Sequence, residues 1–187
     1  MKKSMLRGAL NCLYKASGAA AALFIVGIVA LVISQVSLNL VDKIFSSFAG
    51  RGLGLTIPSY SEFTGFFLAA ASFLALAYTL RAGGHIRVTL LTRRFSRQGQ
   101  RLVEGFALAS GATMACYATF YMIFLIAESI EFNDMTSGMV AIPLWIPQLP
   151  IVLGLAILTL ALVDDLLALI WNKSPSYEGK NESLLSE

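Results

Sequence analysis

The residues that could carry chemistry in this sequence are few and widely separated. His85 is the single histidine, and Cys12 and Cys116 are the two cysteines. A histidine-ligated zinc site or a bis-histidine haem needs several such ligands, and thiol–disulfide chemistry needs paired cysteines. No Gly-x-Ser-x-Gly segment is present to hold a serine nucleophile. We therefore predict that this chain is not an enzyme and holds no cofactor.

Acidic residues next to apolar stretches are the other candidates for chemistry. Glu62 lies near the start of one such stretch, and Asp164 and Asp165 lie near the end of another. Charges in a bilayer interior are costly and usually functional, yet the centres of the apolar stretches hold no ionisable residue. The chain is therefore not expected to form an ion-coupled translocation path by itself. Either aspartate could instead pair with a nearby arginine.

The composition defines the environment of these residues. Of the chain, 57% is hydrophobic and 13% is charged, whereas soluble domains contain about 25% charged residues. The net charge of +3 comes from basic residues between apolar blocks, which favours contact with membrane lipids and argues against nucleic acid as a partner. We predict an all-α integral membrane protein.

Four apolar blocks are long enough to span a bilayer, which requires about 20 residues of helix. We predict one membrane domain, residues 1–173, followed by a polar tail, residues 174–187. The predicted helices cover about residues 16–36, 60–80, 105–127 and 149–171.

Three prolines determine where the fourth helix is expected to begin. Pro143, Pro147 and Pro150 crowd the start of the apolar block, and proline is tolerated in a first turn but disrupts a helix interior. The sequence therefore predicts a helix from about Leu149, with Ile142–Gln148 as an irregular lead-in.

The basic residues predict the orientation of the chain. Only Lys43 and Arg51, of 14 Lys and Arg residues, fall in the two predicted outer segments, and cytoplasmic segments carry the excess of positive charge. Both termini are therefore expected in the cytoplasm. Four arginines of the inner loop are expected at lipid headgroup level: Arg93, Arg94, Arg97 and Arg101.

The segment after the first helix has two interpretations. Its apolar residues recur at helical spacing between Leu38 and Phe48, which is typical of a short helix lying in the membrane interface. The alternative is a simple extension of the first helix. Gly50, Gly52 and Gly54 follow and are expected to form a turn.

Two helices carry small residues along one face, which lets helix backbones approach closely. These faces could pack within a four-helix bundle or dock on a larger membrane partner. The residues are Glu62, Gly65, Ala69 and Ser72 in helix two, and Gly105, Ala109, Ala112 and Cys116 in helix three.

Four segments form a recognisable set in their order and spacing. They are the Ser-Gln-Val-Ser run at residues 34–37, the Tyr-Ser-Glu run at residues 60–62, the segment from Leu80 to Val88 with its Gly-Gly-His, and the proline-rich segment from Ala141 to Pro150. Together they resemble the small membrane subunit of TRAP (tripartite ATP-independent periplasmic) transporters.

The resemblance implies a function, a location and partners. It implies a multi-pass protein of the bacterial inner membrane that packs on the scaffold of a large, multi-helix transport subunit. That subunit would bind sodium and carry organic acids, and a periplasmic substrate-binding protein would deliver them. A self-sufficient small four-helix membrane transporter or exporter is the alternative function, and a membrane enzyme or electron carrier is a third.

The resemblance also suggests contact residues. Contacts with the large subunit are expected at Glu62, Gly65, Ala69, Ser72, His85 and Arg87, and contacts with the binding protein at Glu128, Glu131 and Asp134.

Overall fold

The computed structural model describes residues 2–83 and 97–171, and these residues form four long helices. Each helix is long and apolar enough to cross a membrane. The prediction of an all-helical protein with four membrane spans is therefore confirmed, whereas the orientation of the termini stays a prediction. The helices are α1 (Lys2–Ala49), α2 (Tyr60–Ala82), α3 (Arg97–Glu131) and α4 (Trp145–Ile170).

Helix α1 is much longer than the predicted span of residues 16–36. It contains 48 residues in one unbroken helix, a length of about 72 Å at 1.5 Å per residue. No proline or glycine interrupts it between Gly27 and Gly50, where a φ of 68° ends the helix. The segment after the membrane span is therefore an extension of α1, and the separate interfacial helix is wrong.

Helix α2 closely matches its predicted bounds. Ser59 precedes it in a left-handed conformation, with φ of 55°. Gly83 ends it with φ of 78°, and the Gly83 N–H donates to the Leu80 carbonyl at 3.1 Å. A glycine in this position is the usual helix C-cap, because a left-handed residue without a Cβ is unstrained.

Helix α4 begins at Trp145, four residues before the predicted Leu149, so the irregular lead-in is shorter than expected. Pro147 falls in the first turn, where its missing N–H has no intrahelical partner to lose. Pro150 lies inside the helix, one turn further on. Helix α3 likewise extends beyond the predicted residues 105–127 at both ends.

The four helices form an open row and not a closed bundle. Helix α1 packs on α2, α2 packs on α4, and α4 packs on α3, while α1 reaches α4 in only a small contact. The sequence leaves open packing within a closed four-helix bundle, and the described helices pack as a row instead. Helices at the two ends of the row, α1 and α3, keep large apolar faces exposed.

Close helix contacts occur where side chains are absent or small. A Cβ placed on Gly154 of α4 would lie 2.5 Å from the carbonyl of Phe73, so α2 and α4 touch backbone to backbone there. Gly18 of α1 packs under the ring of Tyr78. Ala77 and Ala161, both fully buried, lie where α2 meets α4.

Along the direction of the helix axes, the helices terminate at two levels that differ in chemistry. The level at which α1 starts and α2 stops is called the basic end, because Arg7 and Arg81 lie there. We call the opposite end, with residues 50–59 and 132–144, the loop end. Helices α2 and α4 run in the same direction and α1 and α3 run against them, as shown by the contacts of Arg81 with Asp164, Ser17 with Leu74 and Gln148 with Ser129.

Candidate partner-binding surfaces and the polar joints that shape them

A polar joint at the basic end connects three helices. Arg81, in the last turn of α2, forms an ion pair with Asp164 of α4. The guanidinium carbon of Arg81 also lies 4.4 Å from the ring centroid of Tyr14 in α1, a cation–π geometry. The proposed pairing of an aspartate with an arginine is thus present in the structure.

A small cavity of about 120 Å³ adjoins this joint. Asp165, of which 1% is exposed, forms part of its wall. Because two arginines face two aspartates, the charges balance within the joint, which suits a structural contact better than an anion-binding or cation-binding site. The cavity is lined by Arg7, Leu10, Asn11, Arg81, Asp164, Asp165 and Ala168.

At the loop end, the amide of Gln35 fastens the returning chain to α1. Gln35 is 4% exposed. Its Nε2 donates to Asn39 Oδ1 at 2.9 Å and to Thr56 Oγ1 at 3.1 Å, and its Oε1 accepts from the N–H of Ile57 at 2.8 Å. One side chain therefore satisfies polar groups on α1 and on the segment that returns alongside it, which stabilises this turn.

Asp42 fastens the same segment one step further along α1. Its Oδ1 accepts from the N–H of Leu53 at 2.5 Å and from the N–H of Gly54 at 2.8 Å. Gly54 has a φ of 69°, a conformation that glycine adopts without strain. The glycine segment is therefore an ordered strap against α1, and we call residues 50–57 the strap.

Glu62 contacts the loop between α3 and α4. A Cβ on Gly138 would overlap the Glu62 carboxylate and lie 2.6 Å from Ser59 Oγ. The Ser59 hydroxyl also accepts a hydrogen bond from the N–H of Val140 at 3.0 Å. Glu62 therefore lies at the contact between the start of α2 and the α3–α4 loop.

The α3–α4 loop is itself well connected. Thr136 donates its N–H to the carbonyl of Ile142 at 2.9 Å, and its hydroxyl accepts from the N–H of Ile142 at 3.0 Å. Gln148 Nε2 donates to Ser129 Oγ at 3.2 Å, which joins α4 to α3. The loop end is thus a set of hydrogen-bonded turns.

The small-residue face of α2 divides between the two interpretations. Gly65 and Ser72 are exposed, and nothing lies within 4 Å of a Cβ built on Gly65. Leu68, between them on the helix, is also exposed. Ala69 is half-buried. The residues that stay open form a shallow strip in the middle of the row, which we call the α2 strip.

The small-residue face of α3 serves mainly the contact with α4. Ala112 is buried, and a Cβ on Gly105 would meet the side chain of Leu169 at 3.4 Å. Ala109 is half-buried, whereas Cys116 is exposed. This face is internal packing for most of its length.

The acidic residues expected to meet the binding protein all lie at the loop end. Glu128, Glu131 and Asp134 are exposed. They surround the point at which α3 ends and the chain turns, where the N–H of Asp134 donates to the carbonyl of Ser129 at 3.0 Å.

Several predicted residues lie outside the described part of the chain. They are His85, Arg87, Arg93 and Arg94. Arg97 is the first residue of α3, and Arg101 is exposed one turn later, near the basic end of the row.

Gln35, Asp42, Ser59 and Gly138 were not predicted as key contacts. Gln35 and Asp42 have a signal in the sequence, because each is a polar residue at the edge of an apolar helix. Gly138 has none, because its role depends on Glu62, far away in the chain.

Metal binding finds no support in the described ranges. Within residues 2–83 and 97–171, no group of three or more His, Cys, Asp or Glu residues is placed to hold a metal ion.

Comparison with known protein families assigns the chain. The sequence model described as "Tripartite ATP-independent periplasmic transporters, DctQ component" matches residues 43–171, which is more than half of the chain. The match begins near the end of α1 and runs through α4, so the resemblance at residues 34–37 lies outside it. No curated protein and no solved structure matches the chain. The chain thus belongs to the DctQ family, the small membrane component of TRAP transporters, and is a multi-pass inner-membrane transporter subunit and not an enzyme.

Proposed function

We propose that this subunit widens and stabilises the scaffold of the large transport subunit, in a sodium-driven system that takes up organic acids. In this proposal both termini face the cytoplasm and the loop end faces the periplasm. The excess of Lys and Arg in the predicted inner segments supports the orientation. The resemblance to the family supports sodium coupling and the substrate class.

One observation carries the scaffold role: the helices form an open row, and the middle of each described helix holds no charged residue. Within the described helices, no charged residue lies between Lys15 and Asp42 in α1 or between Glu62 and Arg81 in α2. The charged contacts described above lie at the basic end and at the loop end. An ion-coupled path through this chain would need polar groups at mid-depth, so a supporting role for a partner that contains the path fits better.

The α2 strip is the proposed contact with that scaffold. Gly65 and Ser72 are exposed within the apolar span of α2, and small residues permit close helix packing where the hydrophobic effect contributes little. Glu62 and Ala69 flank the strip. His85 and Arg87 are retained as proposed contacts with the same partner.

The loop end is the proposed contact with the periplasmic binding protein. Glu128, Glu131 and Asp134 present three carboxylates in one region, which would attract a basic surface and accelerate encounter at low salt. Neutralising all three, with Gln at the two glutamates and Asn at the aspartate, should raise the binding-protein concentration needed for half-maximal uptake. An unchanged concentration dependence, and an unchanged response to salt, would remove these residues from the docking site.

The experiment that tests the proposal is reconstitution. The chain is co-expressed with the large subunit of its own transporter, purified through a tag on the small subunit, and placed in proteoliposomes with labelled organic acids. We expect a stoichiometric complex whose uptake requires the binding protein and an inward sodium gradient. Replacing sodium with potassium should abolish uptake.

The alternative function, a self-sufficient exporter, predicts a different result. The chain alone would then form a homo-oligomer that transports without the large subunit or the binding protein. Uptake driven equally by sodium and potassium gradients would instead leave the scaffold role intact and reject the sodium coupling.

A further inference from the structure

We propose that the outer face of α3 is a second docking surface for a transmembrane helix of the large subunit, in addition to the α2 strip. This inference rests on the proposed scaffold role and names a further contact of the same partner. We call this face the tyrosine face, and it contains Phe106, Ser110, Tyr117, Phe120, Tyr121 and Phe124.

The position of α3 in the row leaves the tyrosine face uncovered by the other described helices. Helix α3 lies at one end of the row and packs mainly on α4. The opposite side of α3 is exposed along its membrane span, including Tyr117 at 64% and Tyr121 at 55%. Aromatic rings there contact one another in tilted pairs, with centroids 4.5 Å apart for Tyr117 and Tyr121 and 4.9 Å apart for Phe120 and Phe124.

The depth of the tyrosines along α3 favours a protein partner over lipid on this face. Tyr117 lies near the middle of the uncharged stretch between Glu104 and Glu128, about 16 Å or more of helix from either residue. A phenolic hydroxyl cannot reach the interface from there. Tyr121 is nearer to Glu128, but helical side chains lean toward the N-terminus, which directs its hydroxyl toward the bilayer centre.

A hydroxyl at this depth needs a hydrogen-bond partner. Ser110 and Thr113 on the same helix satisfy theirs locally, by donating to the carbonyls of Ala107 at 3.1 Å and Ala109 at 2.9 Å. A tyrosine hydroxyl is too far from its own backbone to do so. Even a bond between the two tyrosines would leave one O–H donor, because each hydroxyl has a single hydrogen, and hydrocarbon offers no acceptor.

Helix α1, the outermost helix on the opposite side of the row, shows what a lipid-facing surface looks like in this protein. The large exposed side chains of α1 between Lys15 and Ser34 are all aliphatic: Leu23, Ile25, Val26, Val29, Val32 and Ile33. They need nothing that lipid lacks. The outer faces of α1 and α3 therefore differ in polarity at equal depth. Of these two faces, the one on α3 requires a hydrogen-bond acceptor.

Photocross-linking in the co-purified complex tests this assignment. p-Benzoylphenylalanine is placed at Tyr117 or Phe120 of the tyrosine face, and at Val26 or Ile33 of α1 as matched lipid-facing controls. We expect adducts with the large subunit from the α3 positions and none from the α1 positions. Adducts with a second copy of this chain, or with lipid alone, would overturn the inference.

Removal of the hydroxyls supplies a second measurement. Tyr117→Phe combined with Tyr121→Phe should reduce retention of the large subunit by about threefold to tenfold, the range for a hydrogen bond between membrane helices. The thermal unfolding of the isolated subunit should not change. Tyr78→Phe, which removes a hydroxyl from α2, is the matched control and should retain the large subunit fully.

The outcomes distinguish the inference from the proposed function. If the large subunit never co-purifies, both are wrong. If the complex forms but the double tyrosine variant retains it as well as Tyr78→Phe does, the scaffold role stands and the tyrosine face is not its contact.

Discussion

Gly138, which has no side chain, allows the two halves of the chain to meet at the loop end. Gly138 lies against the Glu62 carboxylate and the Ser59 hydroxyl, so that the α3–α4 loop closes over the start of α2. Its backbone is not in the left-handed region, so the constraint is space and not conformation.

Gly138→Ala is therefore expected to destabilise the subunit by about 1–3 kcal/mol, the usual cost of overpacking a well-filled site. The measurement is thermal unfolding of the purified subunit in detergent. Gly8→Ala is the matched control, since nothing lies within 4 Å of a Cβ there. Gly8 lies in α1, so its replacement should leave the melting temperature unchanged or raise it. A melting temperature of the Gly138→Ala variant equal to that of the unmodified protein would show that the loop is not held against Glu62.

The ion pair of Arg81 and Asp164 is the second contact that acts at residue scale. The Arg81 side chain is 18% exposed and that of Asp164 is 33% exposed, so the pair is partly shielded from water. Arg81 also lies over the Tyr14 ring, which brings α1 into the same joint.

Asp164→Asn should cost about 1–3 kcal/mol of stability, because it leaves a partly buried guanidinium without its full counter-charge. A double-mutant cycle with Arg81→Gln measures the coupling between the two side chains. Additive effects would mean that the pair contributes nothing. Replacing both Asp164 and Asp165 with Asn, with assembly and uptake unchanged, would remove the joint from any role in the complex.

At the scale of elements, α1 shows how a sequence with helical periodicity can be interpreted in two ways. The pattern between Leu38 and Phe48 suits an interfacial helix as well as an extension of α1. The structure shows the extension, because Gln35 and Asp42 bind the strap alongside α1 and so hold the turn at Gly50 beyond the end of the extended helix.

Asp42→Ala should release the strap. We expect hydrogen exchange at Leu53 and Gly54 to accelerate by at least about tenfold, because the substitution removes both charge-assisted hydrogen bonds to the carboxylate. The amides of α1 before Asp42 should exchange as in the unmodified protein. Exchange that remains slow in the strap would show that Gln35 alone holds it.

The α2 strip is the element whose exposure has the clearest consequence for assembly. Gly65→Leu and Ser72→Leu add bulk where the isolated subunit has open space. The subunit should fold normally, yet retain at least about fivefold less of the large subunit, because close backbone approach is lost.

A matched control comes from the other end of the row. Ala30→Leu makes a comparable change on the exposed aliphatic side of α1 and should leave the complex intact. If both substitutions weaken assembly equally, the partner does not distinguish the α2 strip from the lipid-facing surface.

At the scale of the whole molecule, the open row explains how four helices can be stable as part of a larger assembly. A closed bundle would bury its best faces internally. Here α1 and α3 each pack mainly on one neighbour, so their outer sides, together with the exposed residues of α2 and α4, remain available to lipid or to a partner.

Orientation is the molecular property most simply measured. In a Cys116→Ala background, Cys12 is the remaining thiol and lies toward the basic end. A membrane-impermeant maleimide should label it only after the inner membrane is opened. Asp134→Cys in a background without Cys12 should be labelled in intact spheroplasts. The reverse pattern would invert the proposed topology.

The sequence alone determined the class, the number of membrane spans and the family. Long uncharged blocks have no stable alternative to membrane helices, since lipid leaves the backbone no other hydrogen-bond partner. It also offered the pairing of Asp164 or Asp165 with an arginine as a hypothesis, and the structure shows the pair of Asp164 with Arg81.

Only the tertiary structure decided how the helices are arranged and where they end. Hydrophobic periodicity is weak when every face is apolar, so the sequence could not distinguish an open row from a bundle, or an extended α1 from a helix that turns. The contacts of Gly138 with Glu62 and of Gln35 with the strap join residues distant in the chain, and such pairs become visible only when the backbone brings them together.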